Sequence, residues 1–101
     1  MTEATWTALA DPHRRAVLDL LRAGERAVGE VVDALRLSQP QASKHLRVLR
    51  DAGLVLVRKD AQRRLYRLDP RPFAEIDAWL APYRQRWNAG LDRLERHLED
   101  S

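Results

Sequence analysis

The stretch Ser38-Gln39-Pro40-Gln41-Ala42-Ser43-Lys44-His45-Leu46-Arg47-Val48-Leu49-Arg50-Asp51-Ala52-Gly53 decides the fold. It predicts one helix with its start and stop signals in place. Ser38 stands to accept a backbone N–H as N-cap, Gln41 three residues on closes a capping box, and Pro40 falls in the first turn, where its missing N–H costs little. Gly53 suits the left-handed position just past the last turn. Between these caps Ala42, Leu46 and Leu49 recur at helical spacing as a narrow apolar stripe. The other faces carry Gln39, Gln41, Ser43, Lys44, Arg47 and Arg50, with no carboxylate before Asp51. Amides and hydroxyls early in a helix, with cations further along, suit base edges and phosphates respectively, so this helix is read as one that enters a DNA groove.

Working outward, Val28, Val31, Val32 and Leu35 fall at helical spacing, and Arg36-Leu37 makes a tight turn into the capped helix. Residues 28–53 therefore read as a helix-turn-helix. Upstream, Asp11-Pro12 is a helix start, with Val17, Leu20 and Leu21 as the buried stripe of a scaffold helix ending near Gly24. Glu25-Arg26-Ala27 is a link, and Glu3 to Ala10 forms a short leading helix whose Trp6 covers a core or a partner. Downstream the period changes: Leu54 to Lys59 is β-branched and apolar, Asp60-Ala61-Gln62 is a turn, and Arg63 to Leu68 alternates, with Leu65 or Tyr66 inward according to register. Residues 54–68 thus form a hairpin with Arg58, Lys59, Arg63 and Arg64 around its tip. Beside a reading helix such a hairpin is a wing whose cations meet phosphates; the alternative is a solvated hairpin whose charges protect its edges.

Asp69-Pro70-Arg71-Pro72 separates the hairpin from a last helix, opened by Pro72 and running over 72–99. Along it Phe73, Ile76, Leu80, Tyr83, Trp87, Leu91, Leu94 and Leu98 stand three or four apart, close to a heptad seam. Such a helix spans on the order of 40 Å at a rise of about 1.5 Å per residue, longer than so small a domain covers alone. Self-association through this seam, with Trp6, is the economical expectation. Pro82 should kink or divide the helix, and Gly90 weakens it locally.

The whole chain of 101 residues suits one domain, 1–101. It has no cysteine, which removes disulfides, thiolate metal sites and thiol redox switching together. No signal-peptide pattern is present and the longest apolar run, Leu54 to Val57, is far short of a membrane span, so a cytoplasmic protein is expected. The net charge of +3 is unevenly spread: Arg36 to Arg67 holds nine Lys/Arg against two acids, a net +7, and the remainder nine against thirteen, a net −4. A basic stripe beside an acidic remainder is the footprint of a polyanion-binding surface. No Gly-rich phosphate loop and no nucleophile–base arrangement supports an enzyme.

Four segments also carry a family likeness. Leu9-Ala10-Asp11-Pro12-His13-Arg14-Arg15, Leu37 to Leu46, Leu49-Arg50-Asp51-Ala52-Gly53-Leu54-Val55 and Arg64-Leu65-Tyr66-Arg67-Leu68 resemble, in order and spacing, the ArsR-type winged-helix repressors. The resemblance implies a homodimer that binds a roughly palindromic double-stranded DNA operator, usually in its own promoter, and blocks transcription. It places Gln39, Gln41, Ser43, Lys44 and His45 on the reading helix, and Arg63 and Arg64 on the wing. Metal-sensing members carry a cysteine pair in the helix before the turn, where this chain reads Val28 to Leu35 without one. Others bind zinc on the final helix through Asp-x-His and a later His-x-x-Glu; here Asp77-Ala78-Trp79 and His97-Leu98-Glu99-Asp100 break that pattern. The resemblance is therefore to the metal-independent subgroup.

Together these features predict a mainly α fold with a β-hairpin, a winged helix-turn-helix with a long C-terminal dimerisation helix. The expected DNA-binding residues are Ser38, Gln39, Gln41, Ser43, Lys44, His45, Arg47, Arg58, Lys59, Arg63 and Arg64. The expected dimer interface is Trp6, Phe73, Ile76, Leu80, Tyr83, Trp87, Leu91, Leu94 and Leu98. No cofactor, metal or membrane partner is expected. His45 has two readings, a phosphate contact or a hydrogen bond within the fold, and His13 is read as surface. The alternatives in function are a protein-interaction module with weak nonspecific DNA affinity, or a metal-responsive repressor with a divergent site. An organic effector near Trp79, Tyr83 and Trp87 is a further option, although aromatic residues at that spacing are more often core.

Overall fold

The computed structural model describes residues 2–100. Chain order gives α1 (Glu3–Leu9), α2 (Pro12–Leu21), β1 (Arg26–Ala27), α3 (Val28–Leu35), α4 (Gln39–Asp51), β2 (Val55–Asp60), β3 (Arg63–Leu68) and α5 (Pro70–Glu99). Local chemistry accounts for most of these limits. The Asp11 carboxylate accepts from the His13 N–H at 2.7 Å and from Arg14 N–H at 3.3 Å, which starts α2. Arg14 Nε donates to the Ala8 carbonyl at 2.8 Å and Arg15 Nη1 to the Leu9 carbonyl at 2.7 Å, so the last turn of α1 is tied to α2.

The capping box of α4 forms as the sequence predicts. Ser38 Oγ accepts from the Gln41 N–H at 3.2 Å, and Gln41 Oε1 accepts from the Ser38 N–H at 2.9 Å. At the other end Gly53 adopts φ +78°, with its N–H on the Arg50 carbonyl and the Leu54 N–H on the Leu49 carbonyl, both at 2.9 Å. This pair of bonds is the Schellman arrangement, and it satisfies carbonyls that the end of a helix otherwise orphans. The turn between α3 and α4 rests on Arg36, which is left-handed at φ 55°.

One strand escapes the sequence reading. Arg26-Ala27, expected as a link, pairs antiparallel with β3 in the register Arg26↔Tyr66 and Ala27↔Leu65. The sheet order is β1-β3-β2, which makes β3 central rather than one arm of a two-stranded hairpin. This explains why Leu65 and Tyr66, expected to alternate, are both buried at 7% exposure. On the hairpin side the register runs from Val55↔Leu68 to Asp60↔Arg63, so Asp60 belongs to the strand and Ala61-Gln62 alone make the loop.

The core gathers Ala8, Val17, Leu18 and Leu21 from the first helices, Val31 from α3, Ala42, Leu46 and Leu49 from α4, and Leu54, Val55 and Tyr66 from the wing. The apolar stripe of the reading helix is thus its buried face, and its polar faces are held outward.

The final helix departs from expectation at its start and at Phe73, and narrows it at Pro82. It begins at Pro70, not Pro72, because Asp69 is the N-cap and accepts from the Arg71 N–H at 3.1 Å. It is not divided at Pro82, one of the two outcomes expected there: a proline removes one N–H but its fixed φ is helical, and Arg84 is joined to Asp77 across it, with Nη2 at 2.9 Å from Oδ1. Phe73, expected at a subunit seam, packs on this chain's own core. Past Trp79, which meets Trp6 of α1, the helix extends away from the core. No residue of α5 is fully buried, and the molecule measures 62 × 27 × 22 Å.

Candidate nucleic-acid interface

The exposed side of α4 and the hairpin face a common space. Ser38, Gln39, Gln41, Ser43, Lys44, Arg47 and Arg50 are exposed on α4, as are Lys59, Arg63 and Arg64 on the hairpin. Between them opens a cleft of about 460 Å³, lined by Val28, Pro40, Ser43, Lys44, Arg47, Arg50, Arg64 and Tyr66. Four cations converge on it, and no acid does. Arg50, which the sequence places outward without nominating it as a DNA contact, is one of the four; it also borders a second hollow with Val57, Arg58, Lys59 and Arg64. A groove lined by fixed positive charge concentrates polyanions by field alone, before any base is read.

The wing is anchored as well as charged. Arg58 forks onto Glu25, with Nε at 2.8 Å from Oε2 and Nη2 at 2.9 Å from Oε1, while Arg67 Nη1 stands 3.9 Å from the same carboxylate. The hydrogen bonds from Arg58 hold the Glu25 carboxyl below its ordinary range. Arg58, expected beside the tip, thus pairs with Glu25 while its side chain stays 49% exposed. At the tip Arg63 lies 3.6 Å from Asp60 in an exposed pair, a contact that leaves its charge accessible.

His45 does not share the outward direction of its neighbours. Its ring is half-buried and stacks on His13 with centroids 5.7 Å apart and planes at 20°. His13 Nδ1 in turn lies 3.7 Å from Asp11 Oδ1. The sequence gives no hint of this group, because Asp11 and His13 precede His45 by more than thirty positions. Only the packing of α2 on α4 brings them together.

Among the expected seam residues, Ile76 and Leu80 are half-buried. Exposure rises outward, from Trp79 at 47% through Tyr83 at 59% to Trp87 at 70%, with Leu91, Leu94 and Leu98 between 49% and 65%. Trp6 packs edge-on against Trp79 at 5.6 Å, and Trp79 meets Tyr83 at 5.1 Å, so α1 supplies one end of a continuous aromatic surface.

A capped reading helix, the short helix before it and a cationic hairpin beside it define a winged helix-turn-helix transcriptional regulator. A family model described as a helix-turn-helix domain matches residues 9–58. The chain is 45% identical over 92 residues to the HTH-type transcriptional regulator Rv2034 of Mycobacterium tuberculosis, covering 91% of this chain and 86% of that one. Among solved structures it is similar to the ArsR family transcriptional regulator RHA00566, with a TM-score of 0.71 and 34% identity over 84% of this chain and 88% of that chain. It is also similar to the homodimeric winged helix-turn-helix DNA-binding domain Mb0332 from Mycobacterium bovis, with a TM-score of 0.68 and 33% identity over 81% of this chain and 76% of that chain. The chain belongs to the ArsR family of transcriptional regulators. Other curated relatives are longer, and the chain spans about half of their length. No helix among the described residues is long and apolar enough to cross a membrane.

Proposed function

We propose that this chain is a homodimeric repressor that binds a palindromic operator, in its own promoter above all, and acts in the cytoplasm. The observation that carries this is the cleft between α4 and the wing, where Lys44, Arg47, Arg50 and Arg64 converge beside the exposed amides and hydroxyls of the first turns of α4. Ser38, Gln39, Gln41 and Ser43 read base edges; Lys44, Arg47, Arg50, Lys59, Arg63 and Arg64 hold phosphates. His45, stacked on His13, supports the helix from behind, and Arg58 fixes the wing through Glu25. Dimerisation through Trp6 of α1 and Trp79, Tyr83, Trp87, Leu91, Leu94 and Leu98 of α5 is supported by their exposure, with no residue of α5 fully buried in its own chain. It is also supported by the homodimeric state of the Mycobacterium bovis domain. Two reading helices in a two-fold dimer require half-sites about one helical turn, roughly 10–10.5 bp, or a multiple of it apart.

The chain uses neither of the metal sites suggested by its family likeness: it has no cysteine, and Trp79 stands where the final helix would need an imidazole. In that sense it falls in the metal-independent subgroup.

The test is an anisotropy titration of the protein against its own upstream DNA and a scrambled duplex at physiological salt. Nanomolar-range binding confined to the promoter is expected. Equal, weak binding to both duplexes overturns the repressor reading in favour of an interaction module.

A further inference from the structure

Asp11, His13 and His45 offer one ligand atom each, all within 4.8 Å of one another. We propose that these three side chains form a binding site for a divalent transition ion of the zinc type, at the junction of α2 and α4. The site is neither the thiolate type nor the final-helix type considered above, and it does not depend on the DNA-binding reading.

Three observations converge. The donor set is two imidazoles and one carboxylate, which suits zinc, cobalt or nickel and not magnesium or calcium, whose preferred ligands are oxygens. The His45 Nδ1 is buried with no hydrogen-bond partner among the described residues, an orphan that an ion or a rotated ring can satisfy. The third is adaptability: the His13 side chain is 64% exposed, so its ring can turn toward the cap-held Asp11 and the half-buried His45. Zinc bonds of about 2.0–2.2 Å place tetrahedral donors roughly 3.3–3.5 Å apart, so closing the present spread takes a rotation of His13 out of its stacked pose. Solvent supplies the fourth ligand on that open side.

The charges facing the site are mixed. Burial, the largest effect, holds the His45 imidazole below its ordinary value, with Asp11 acting the other way and Arg14, His13 and Lys44 adding to the lowering. A neutral ring keeps its lone pair for a metal. Asp11 is also held low: burial pushes it up, but the Arg14 and His13 backbone N–H groups and the nearby Arg14 charge prevail, so its carboxylate is ionised. Arg14 Nη1 stands 3.8 Å from Asp11 Oδ2 and opposes a cation there, although its guanidinium is fixed on the Ala8 and Thr7 carbonyls. Asp11 Oδ1 holds the α2 cap on the His13 and Arg14 N–H groups, so Oδ2, which serves no cap bond, is the oxygen that would turn to the ion. An ion held there joins the reading helix to the scaffold helix behind it.

Untagged protein titrated with Co²⁺ tests this directly. The expected result is a visible d–d spectrum saturating at one ion per chain and displaced by Zn²⁺. His13→Ala, at an exposed position, should weaken binding at least tenfold. Asp11→Asn keeps a capping oxygen for α2 but loses the charge, and should also weaken it. His97→Ala removes the histidine near the end of α5 and should change nothing. No one-per-chain complex in moderate metal excess overturns the proposal, as does binding unaffected by His13→Ala or abolished by His97→Ala. Circular dichroism of each variant separates loss of a ligand from loss of fold.

Discussion

The Gln41 amide is divided between two tasks. Its oxygen closes the capping box on the Ser38 N–H, and the cap makes no use of its N–H₂ group. Replacing Gln41 by alanine therefore confounds helix stability with base recognition. Gln41→Glu separates them, because a glutamate supplies the same capping oxygen but no donors, and presents negative charge to DNA. Chemical denaturation should stay within about 0.5 kcal/mol of wild type. Preference for the operator over a scrambled duplex should fall by about 1–3 kcal/mol, measured by competition binding. Retained preference would remove Gln41 from the reading set. A second residue, Asp69, carries a dependence on pH. It is 3% exposed and its carboxyl is held at about 2, below an ordinary 3.8, first by the Arg71 side chain and then by the Arg71 backbone N–H. A carboxyl with a depressed folded pKa contributes stability that is complete above the unfolded value and lost as pH falls through the folded one. The stability advantage of wild type over Asp69→Asn should thus be constant above about pH 5 and shrink between about 4 and 2, as read from urea midpoints.

Between elements, the contrast of Arg58 with Arg64 decides how the wing works. Arg64 lines the cationic cleft, whereas Arg58 is spent on Glu25. Arg64→Ala should weaken binding to every duplex and lower the slope of log K against log salt by about 1. Arg58→Ala should leave that slope unchanged; an equal change in both would place Arg58 on a phosphate. The same contrast shows what a sequence makes legible. The limits of α4 were written locally, in the Ser38–Gln41 box and in Gly53, since each cap spans three or four residues. Arg26-Ala27 could not be recognised as a strand, because two residues carry no period, and their pairing with Leu65 and Tyr66 is set by the return of the hairpin. The Glu25–Arg58 fork and the stack of His13 on His45 are of the same kind: partners far apart in the chain, joined by packing. Arg50 was visible as an outward cation, but its place in the cleft depends on where Arg64 comes to rest. At Pro82 one of the two expected outcomes, division of the helix, did not occur, since the helical turns on either side carry through it.

For the whole molecule, an extended α5 with Trp79, Tyr83, Trp87, Leu91, Leu94 and Leu98 exposed sets the expected assembly. Leu94→Glu places a charge on that face, and desolvating it on association is costly. Self-association should weaken at least about tenfold, about 1.4 kcal/mol, by sedimentation equilibrium. Far-ultraviolet circular dichroism should show the helix-turn-helix intact, since Leu94 is 54% exposed and outside the core. An unchanged oligomer would move the seam elsewhere. The aromatic surface has one more consequence. The chain has three tryptophans, and all of them, Trp6, Trp79 and Trp87, stand on α1 and α5, with none on α4 or the wing. Tryptophan emission, excited selectively over tyrosine, is consequently a label-free gauge of one end of the molecule: it should shift to the blue as subunits join and these indoles leave water, while α4 and the wing contribute nothing to it.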